Sequence, residues 1–335
     1  MTLHLIQSLA EFLPLKEEWN SLLSRSASHV PFLRHEYLAS WWQTLGGGEW
    51  DEGELAILLV RDENHTLTGT APFFINNRQV LFLGSYEISD YLDFIASQED
   101  LSWVISEVFD YLSTNNFPVW DKLDLYNLPE GSPSIPHLEK TAKQKGYKLE
   151  TEIIQPAPSL LLPGSWPEYL ASLEARYRNE IERKIRNAES YFLPVDWYIV
   201  QDEKLLDQEM DEFLILMANN TDKKTFLTDQ MILQLKSSAK IAFKEGWLQL
   251  AFLLVGNIKA AGYLNFDFDE KIWIYNSGIN SLFENISPGW VLLTRIIEWS
   301  IQNGKTELDF MRGDEAYKYQ FGGLQKEILR IQISR

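Results

Sequence analysis

The sequence predicts a mixed α+β protein, made of two tandem copies of one β-β-β-α-β-α-β plan, each on a mixed sheet. Three observations predict it. The chain has 335 residues, more than one hydrophobic core usually serves. Two apolar runs nearly match, "LAILLV" at 55–60 and "LAFLLV" at 250–255, and the same order of elements follows each, the mark of an internal repeat. Between the copies lies "QPAPSLLLPGSWP" (155–167), whose prolines mark a boundary. The expected domains are therefore 1–155 and 156–335.

The elements follow in order. Helical segments stand ahead of each copy. Each matched run is short and rich in branched residues, as a buried strand is. A polar turn comes next, "RDENHTLTG" or "GNIKAAG", then a strand, "TAPFFI" or "YLNFDF", and a third, "QVLFLGS" or "KIWIYNSG". A helix is expected from Asp100 to about Thr114 and from Ser287 to about Asn303. Ser287 suits an N-cap, Pro288 the first helical position and Gly304 the residue past the end. The next strands, "DKLDLYNL" and "TELDFMRG", share a Leu-Asp pair, Leu123-Asp124 and Leu308-Asp309. A helix and a last strand close each half. After the boundary, 166–190 reads as one long linker helix with an apolar stripe of Leu170, Leu173, Tyr177, Ile181 and Ile185. Its Arg176, Arg178, Arg183, Lys184 and Arg186 form either a solvated face paired with Glu174, Glu180 and Glu182 or a phosphate contact.

Composition narrows the function. The net charge of −18 repels phosphate backbones and speaks against DNA and tRNA. There is no cysteine, so disulfides, thiolate nucleophiles and zinc–thiolate sites are excluded. The five histidines (His4, His29, His35, His65, His137) show no metal-motif spacing, and no metal is expected. The N-terminus lacks the basic n-region of a secretory signal. No apolar run approaches the ~18 residues of a membrane span. A cytoplasmic protein is expected.

Two strands joined by a helix are expected to be parallel neighbours. That topology brings the loop at Ser287-Pro288-Gly289 beside the turn after Asp309, where open α/β sheets bind ligands. A helix N-terminus attracts anions. "DFMRGDEAYKYQFGG" (309–323) then places Asp309, Arg312, Asp314, Glu315, Tyr317 and Lys318 at one crevice. Part of this is expected to be structural, as an Asp314–Lys318 ion pair at i,i+4.

The stretches "SPGWVLLTRIIEWSIQNGKTELDFMRGDEAYK", "EARYRNEIERKIRNAE" and "LGSYEISDYLDF" resemble the GNAT acyltransferases, in particular the CelD-like and BioF2-like acetyltransferases related to the FemAB peptidoglycan-bridge enzymes. With the element order, the resemblance spans nearly the whole chain. It implies two tandem GNAT-like domains, the second catalytic and the first an acceptor-side copy without donor binding. It implies an acyl-CoA cosubstrate, acetyl-CoA foremost, with its pyrophosphate on Ser287, Pro288, Gly289 and Trp290. The "NISPGW" stretch has one glycine where the common GNAT pattern has two. An amine with a pKa of about 10 is protonated at neutral pH, so acyl transfer to it needs a base and an acid for the departing thiolate. Asp309 or Glu315 is assigned the first role and Tyr317 the second. Arg312 and Lys318 suit an anionic group, and Asp90, Tyr91 and Asp93 are expected to grip the acceptor. That acceptor is an amino sugar, an amino acid or a cell-envelope or polysaccharide precursor. The competing readings are a FemAB-like transferase using aminoacyl-tRNA and a catalytically silent binding module.

Overall fold

The computed structural model describes residues 2–335 and divides into two compact units. One unit takes the chain up to Gln155 and then Glu327–Arg335; the other is Pro156–Lys326. The last strand therefore does not complete the second half, as a 156–335 domain requires. Glu327–Ser334 pairs antiparallel with Lys122–Pro129 of the first unit. In the second unit the matching place, antiparallel beside Glu307–Asp309, is filled by Ser159–Leu161. Only the first unit thus takes a strand from beyond its own half; Ser159–Leu161 lies within the second.

The first unit has a four-stranded sheet, in the order Thr2–Ile6, Ile57–Arg61, Leu67–Ala71, Ile95–Ala96. Its second sheet runs Glu54–Leu55, Phe73–Asn76, Gln79–Phe82, Lys122–Pro129, Glu327–Ser334, Lys148–Pro156. The expected strand "TAPFFI" is split between the two sheets at Pro72, which has no N–H to donate to a ladder. Helix Leu101–Leu112 buries Val104, Ile105, Val108 and Phe109 at helical spacing.

The second unit is built on one six-stranded sheet, in the order Ser159–Leu161, Glu307–Asp309, Lys271–Ile279, Ile258–Phe268, Leu248–Val255, Val195–Ile199. Helix Pro288–Gln302 buries Leu292, Leu293, Ile296 and Ile297 in its core, each such side chain contributing about 1.5–3 kcal/mol. The expected linker helix is two helices, Trp166–Ser172 and Ala175–Glu189. The backbone is extended at Leu173 and Glu174. That break turns Leu173 into the core, against Gly322.

The duplication is legible in register. Helix-linked parallel pairs occur in both units, with Val80 opposite Leu123 in one and Ile272 opposite Leu308 in the other. The recurring Leu-Asp pairs therefore hold equivalent places. No helix among the described residues is long and apolar enough to cross a membrane. No group of three or more potential metal ligands occurs among them.

Strand Glu307–Asp309 is pinned by charge. Glu307 is buried and pairs with Lys326 at 2.7 Å and Lys271 at 3.0 Å. Burial raises its carboxyl pKa, but hydrogen bonds from Lys326, Ser159 and Lys271 outweigh that and hold it at about 2. A native pKa below the unfolded one contributes stability above about pH 4.5, which is lost as pH falls toward 2. The stability gap between the wild type and Glu307→Gln is expected to shrink over that window in denaturant titrations. A gap that stays constant with pH would show that the ion pairs contribute nothing.

Candidate active site

The parallel ladder of the second unit is short. It pairs Lys271, Ile272 and Trp273 with Glu307, Leu308 and Asp309, and then stops. Strand Lys271–Ile279 continues, paired with Ile258–Phe268 on its other side and with a bulge at Tyr275. A bulge leaves its extra residue outside the ladder. Beyond Trp273 one edge of this strand has no strand partner among the described residues. Two loops meet at this opened end.

One loop leads into helix Pro288–Gln302. Ser287 precedes it with left-handed backbone (φ 52°), and its side chain caps nothing. Its Oγ instead accepts from Lys184 Nζ at 2.7 Å, and the ammonium lies 4.6 Å from the centre of the Trp290 ring. The basic helix is thereby divided. Arg176, Arg183 and Arg186 pair with Glu174, Glu180 and Glu182 on the surface. Lys184, with its side chain only 14% exposed, lies 3.4 Å from Glu180 as well and turns to the N-terminus of the other helix. Gly289 has a packing reason as well: a Cβ there would lie 2.8 Å from Ile279 Cδ1. The missing side chain admits Ile279.

The other loop holds the 309–318 residues. Asp309 is buried, and its Oδ1 accepts from the Met311 N–H at 2.7 Å. That bond steadies Met311 in left-handed backbone. Lys318 donates to the carbonyls of Met311, Arg312 and Gly313 at 3.1, 2.7 and 3.3 Å, and pairs with Glu315 at 3.0 Å. An ammonium has three protons, so Lys318, its side chain 3% exposed, is fully engaged. The assignment of Lys318 to an anionic substrate group is corrected: it clamps the turn. The expected Asp314–Lys318 pair is replaced by Glu315–Lys318, while Asp314 accepts from the Tyr319 hydroxyl at 2.8 Å. Arg312 is half-buried on the same turn. Glu315 remains 58% exposed and is the accessible carboxylate of the two proposed bases. Tyr317 stands edge-on to Phe310, 6.3 Å between ring centres. Burial, and then the Glu315 charge, push its hydroxyl well above the ordinary tyrosine range.

Asp90, Tyr91 and Asp93 are not surface contacts. All three are buried in the first unit. Asp93 accepts from the hydroxyls of Ser28 and Ser132 and from the Phe94 N–H. Burial outweighs these bonds and raises its pKa. A carboxylate enclosed in this way organises the loop and cannot reach an acceptor.

Sequence reasoning missed Lys223 and Tyr263. Lys223, on the short helix Thr221–Phe226, donates to the Ser277 carbonyl at 2.7 Å. Burial lowers its pKa, Glu315 opposes this, and Lys318 adds to it. Tyr263 is buried, donates to the Gly289 carbonyl at 3.4 Å, and is raised by burial, then by Tyr317 and Glu315. The Glu315 charge thus acts on Lys223, Tyr263 and Tyr317 and pairs with Lys318. Nothing local in "TDKKTF" (221–226) distinguishes its lysines from a solvated surface.

Residues 175–319 match the family model described as an acetyltransferase (GNAT) domain. No curated protein sequence matches the chain. Among solved structures it is similar to a crystal structure of FemX, with a TM-score of 0.66, 11% identity, and coverage of 98% of this chain and 97% of that one. It is also similar to L-PGS from Bacillus licheniformis (TM-score 0.58, 10% identity, 95% of this chain and 91% of that one). A third is the C-terminal domain of a putative lysylphosphatidylglycerol synthetase from Agrobacterium fabrum (0.56, 12%, 97% and 92%). Likeness at such identities concerns the fold alone.

Proposed function

Because residues 175–319 are a GNAT-superfamily domain, we propose that the chain is an acyl-CoA-dependent N-acyltransferase, with acetyl-CoA as the first donor to test. One observation carries the reading: the strands part beside a helix N-terminus on which Lys184 has been placed. No strand pairs with the edge of 274–279 among the described residues; Lys223 and Asn219 hold its Ser277 and Ile279 carbonyls, and the part nearer Trp273 suits an extended, amide-bearing donor chain. Backbone N–H groups at the helix start, with Lys184, suit its pyrophosphate. In the first unit the corresponding helix begins at Asp100, whose carboxylate repels an anion there. This supports donor binding in the second unit only.

In this reading the amine nitrogen attacks the thioester carbonyl and the C–S bond breaks. Glu315, directly or through water, takes the amine's proton, and Tyr317 protonates the leaving sulfur. Arg312, half-buried on the same turn, is the cation proposed to meet an anionic group of either substrate. The cytoplasm, where acyl-CoA is made, is the expected site of action.

A second reading, transfer of an aminoacyl group from tRNA, draws on the likeness to FemX and to the lysylphosphatidylglycerol synthetase domain. The net charge of −18 weighs against a polyanion. Calorimetric titration of the chain with acetyl-CoA, longer acyl-CoAs and deacylated tRNA separates the two. Saturable CoA binding supports the first. Salt-sensitive tRNA binding without CoA binding would replace it with the second. For Lys184→Ala, acetyl-CoA affinity is expected to fall about tenfold, the loss of one charge-assisted hydrogen bond. Wild-type affinity in the folded variant would remove Lys184 from the donor site.

A further inference from the structure

We propose that the cavity beside Lys223 is the acceptor pocket and that it selects an amine carrying a free carboxylate, a small α-amino acid. The inference rests on the acyltransferase reading above and narrows its acceptor. The cavity holds about 320 Å³ and is lined by Met217, Asn220, Lys223, Ser277 and Ile279, among others. That is room for one amino acid, with apolar wall on one side and hydrogen-bond donors on the other.

The wall is rigid. Gly278 lets helix Leu206–Met217 pack directly on strand Lys271–Ile279, since a Cβ there would lie 2.4 Å from the Met217 backbone nitrogen. Asn219 ties the helix end to the Ile279 carbonyl at 2.9 Å. The donors are fixed as well. Asn220 Oδ1 accepts from the backbone N–H groups of Asp222 and Lys223, which leaves its amide NH₂ for a ligand. Lys223 uses one proton on the Ser277 carbonyl at 2.7 Å and reaches Ser277 Oγ at 3.5 Å, which leaves a third.

Charge decides the ligand class. The Lys223 ammonium is half-buried, and the charges of Glu315 and Lys318 act on it in opposite senses. Glu315 is already engaged by Lys318 at 3.0 Å. A ligand carboxylate on Lys223 and Asn220 supplies the counter-charge through charge-assisted hydrogen bonds. An amino sugar or amino alcohol brings only hydroxyls, which accept a hydrogen bond but supply no counter-charge to the ammonium, a mismatch that such sites reject strongly. Glu284, the one carboxylate in the lining, suits the cationic part of an amino acid. Ile279 of the lining packs against Gly289 at the proposed donor site, and Glu315 acts electrostatically on both Lys223 and Tyr317.

The test is thermal shift and calorimetry on the full chain with a panel of L-amino acids, their methyl esters and glucosamine. Acetyl-CoA binding is measured in parallel. Binding of at least one amino acid, with its ester at least tenfold weaker, supports the proposal. So does Lys223→Gln losing at least tenfold in amino-acid affinity at unchanged acetyl-CoA affinity. Equal binding of acid and ester, preference for glucosamine, or no amino-acid binding at millimolar concentration overturns it. The ester comparison uses the unaltered protein, so it stands even if the variant folds poorly. Loss of acetyl-CoA binding alone would remove the donor assignment and leave the ligand class of this pocket in place.

Discussion

Replacing Tyr317 by Phe is expected to lower turnover by about 10²–10⁴-fold, the usual contribution of a positioned general acid. The ring is half-buried and packs edge-on to Phe310. Phe preserves that packing, so stability should change by no more than about 1 kcal/mol, the value of one hydrogen bond. Burial and the Glu315 charge raise the hydroxyl's pKa, so it holds its proton through neutral pH and is a weaker acid than an ordinary tyrosine. Donor affinity should be nearly unaltered. The measurement is turnover and melting temperature on one Tyr317→Phe preparation. Wild-type turnover with lowered melting temperature would mean that Tyr317 only braces the loop.

Lys318→Met should cost more in stability than any surface change, about 3 kcal/mol. The ammonium holds three successive carbonyls, those of Met311, Arg312 and Gly313. A thioether cannot donate to them, and Met311 is buried. Glu315, 58% exposed, regains water when its partner is lost, so the penalty falls mainly on the turn. Turnover should fall with it, because the turn sets Glu315 and Tyr317. Denaturant unfolding reads the first effect. A midpoint like that of the wild type would refute the clamp, and would return Lys318 to the candidates for an anionic substrate contact.

The two lysines near this turn show why the site was only half legible. "DFMRGDEAYK" (309–318) announced chemistry through its density of ionisable residues after a strand, and it does lie at the opened end of the parallel pair. The roles within it were not readable. Lys318 and Glu315 differ in exposure by more than half, and that difference depends on how the chain folds back at Gly313. Asp90 and Asp93 look like surface carboxylates in "SDYLDF" (89–94), yet Ser28 and Ser132, from distant segments, enclose Asp93. Lys223 has no signature at all, because its place against Ser277 comes from strand and helix packing.

The sequence by itself determined the matched runs and the helix-linked parallel pairs; it did not show strands Thr2–Ile6 and Val195–Ile199 ahead of the copies or the break in the linker helix. Hydrophobic periodicity and cap residues are local, and local signals suffice for the runs and the pairs. Only the tertiary structure decided which strand completes which sheet. Ser159–Leu161 is a three-residue strand and Glu327–Ser334 an alternating one, and both satisfy strand propensity anywhere. Their partners, Glu307–Asp309 and Lys122–Pro129, are separated from them by more than a hundred residues. Pairing at that distance is chosen by the fit of a buried edge against the rest of the core, a property of the assembled sheet that no window of sequence contains.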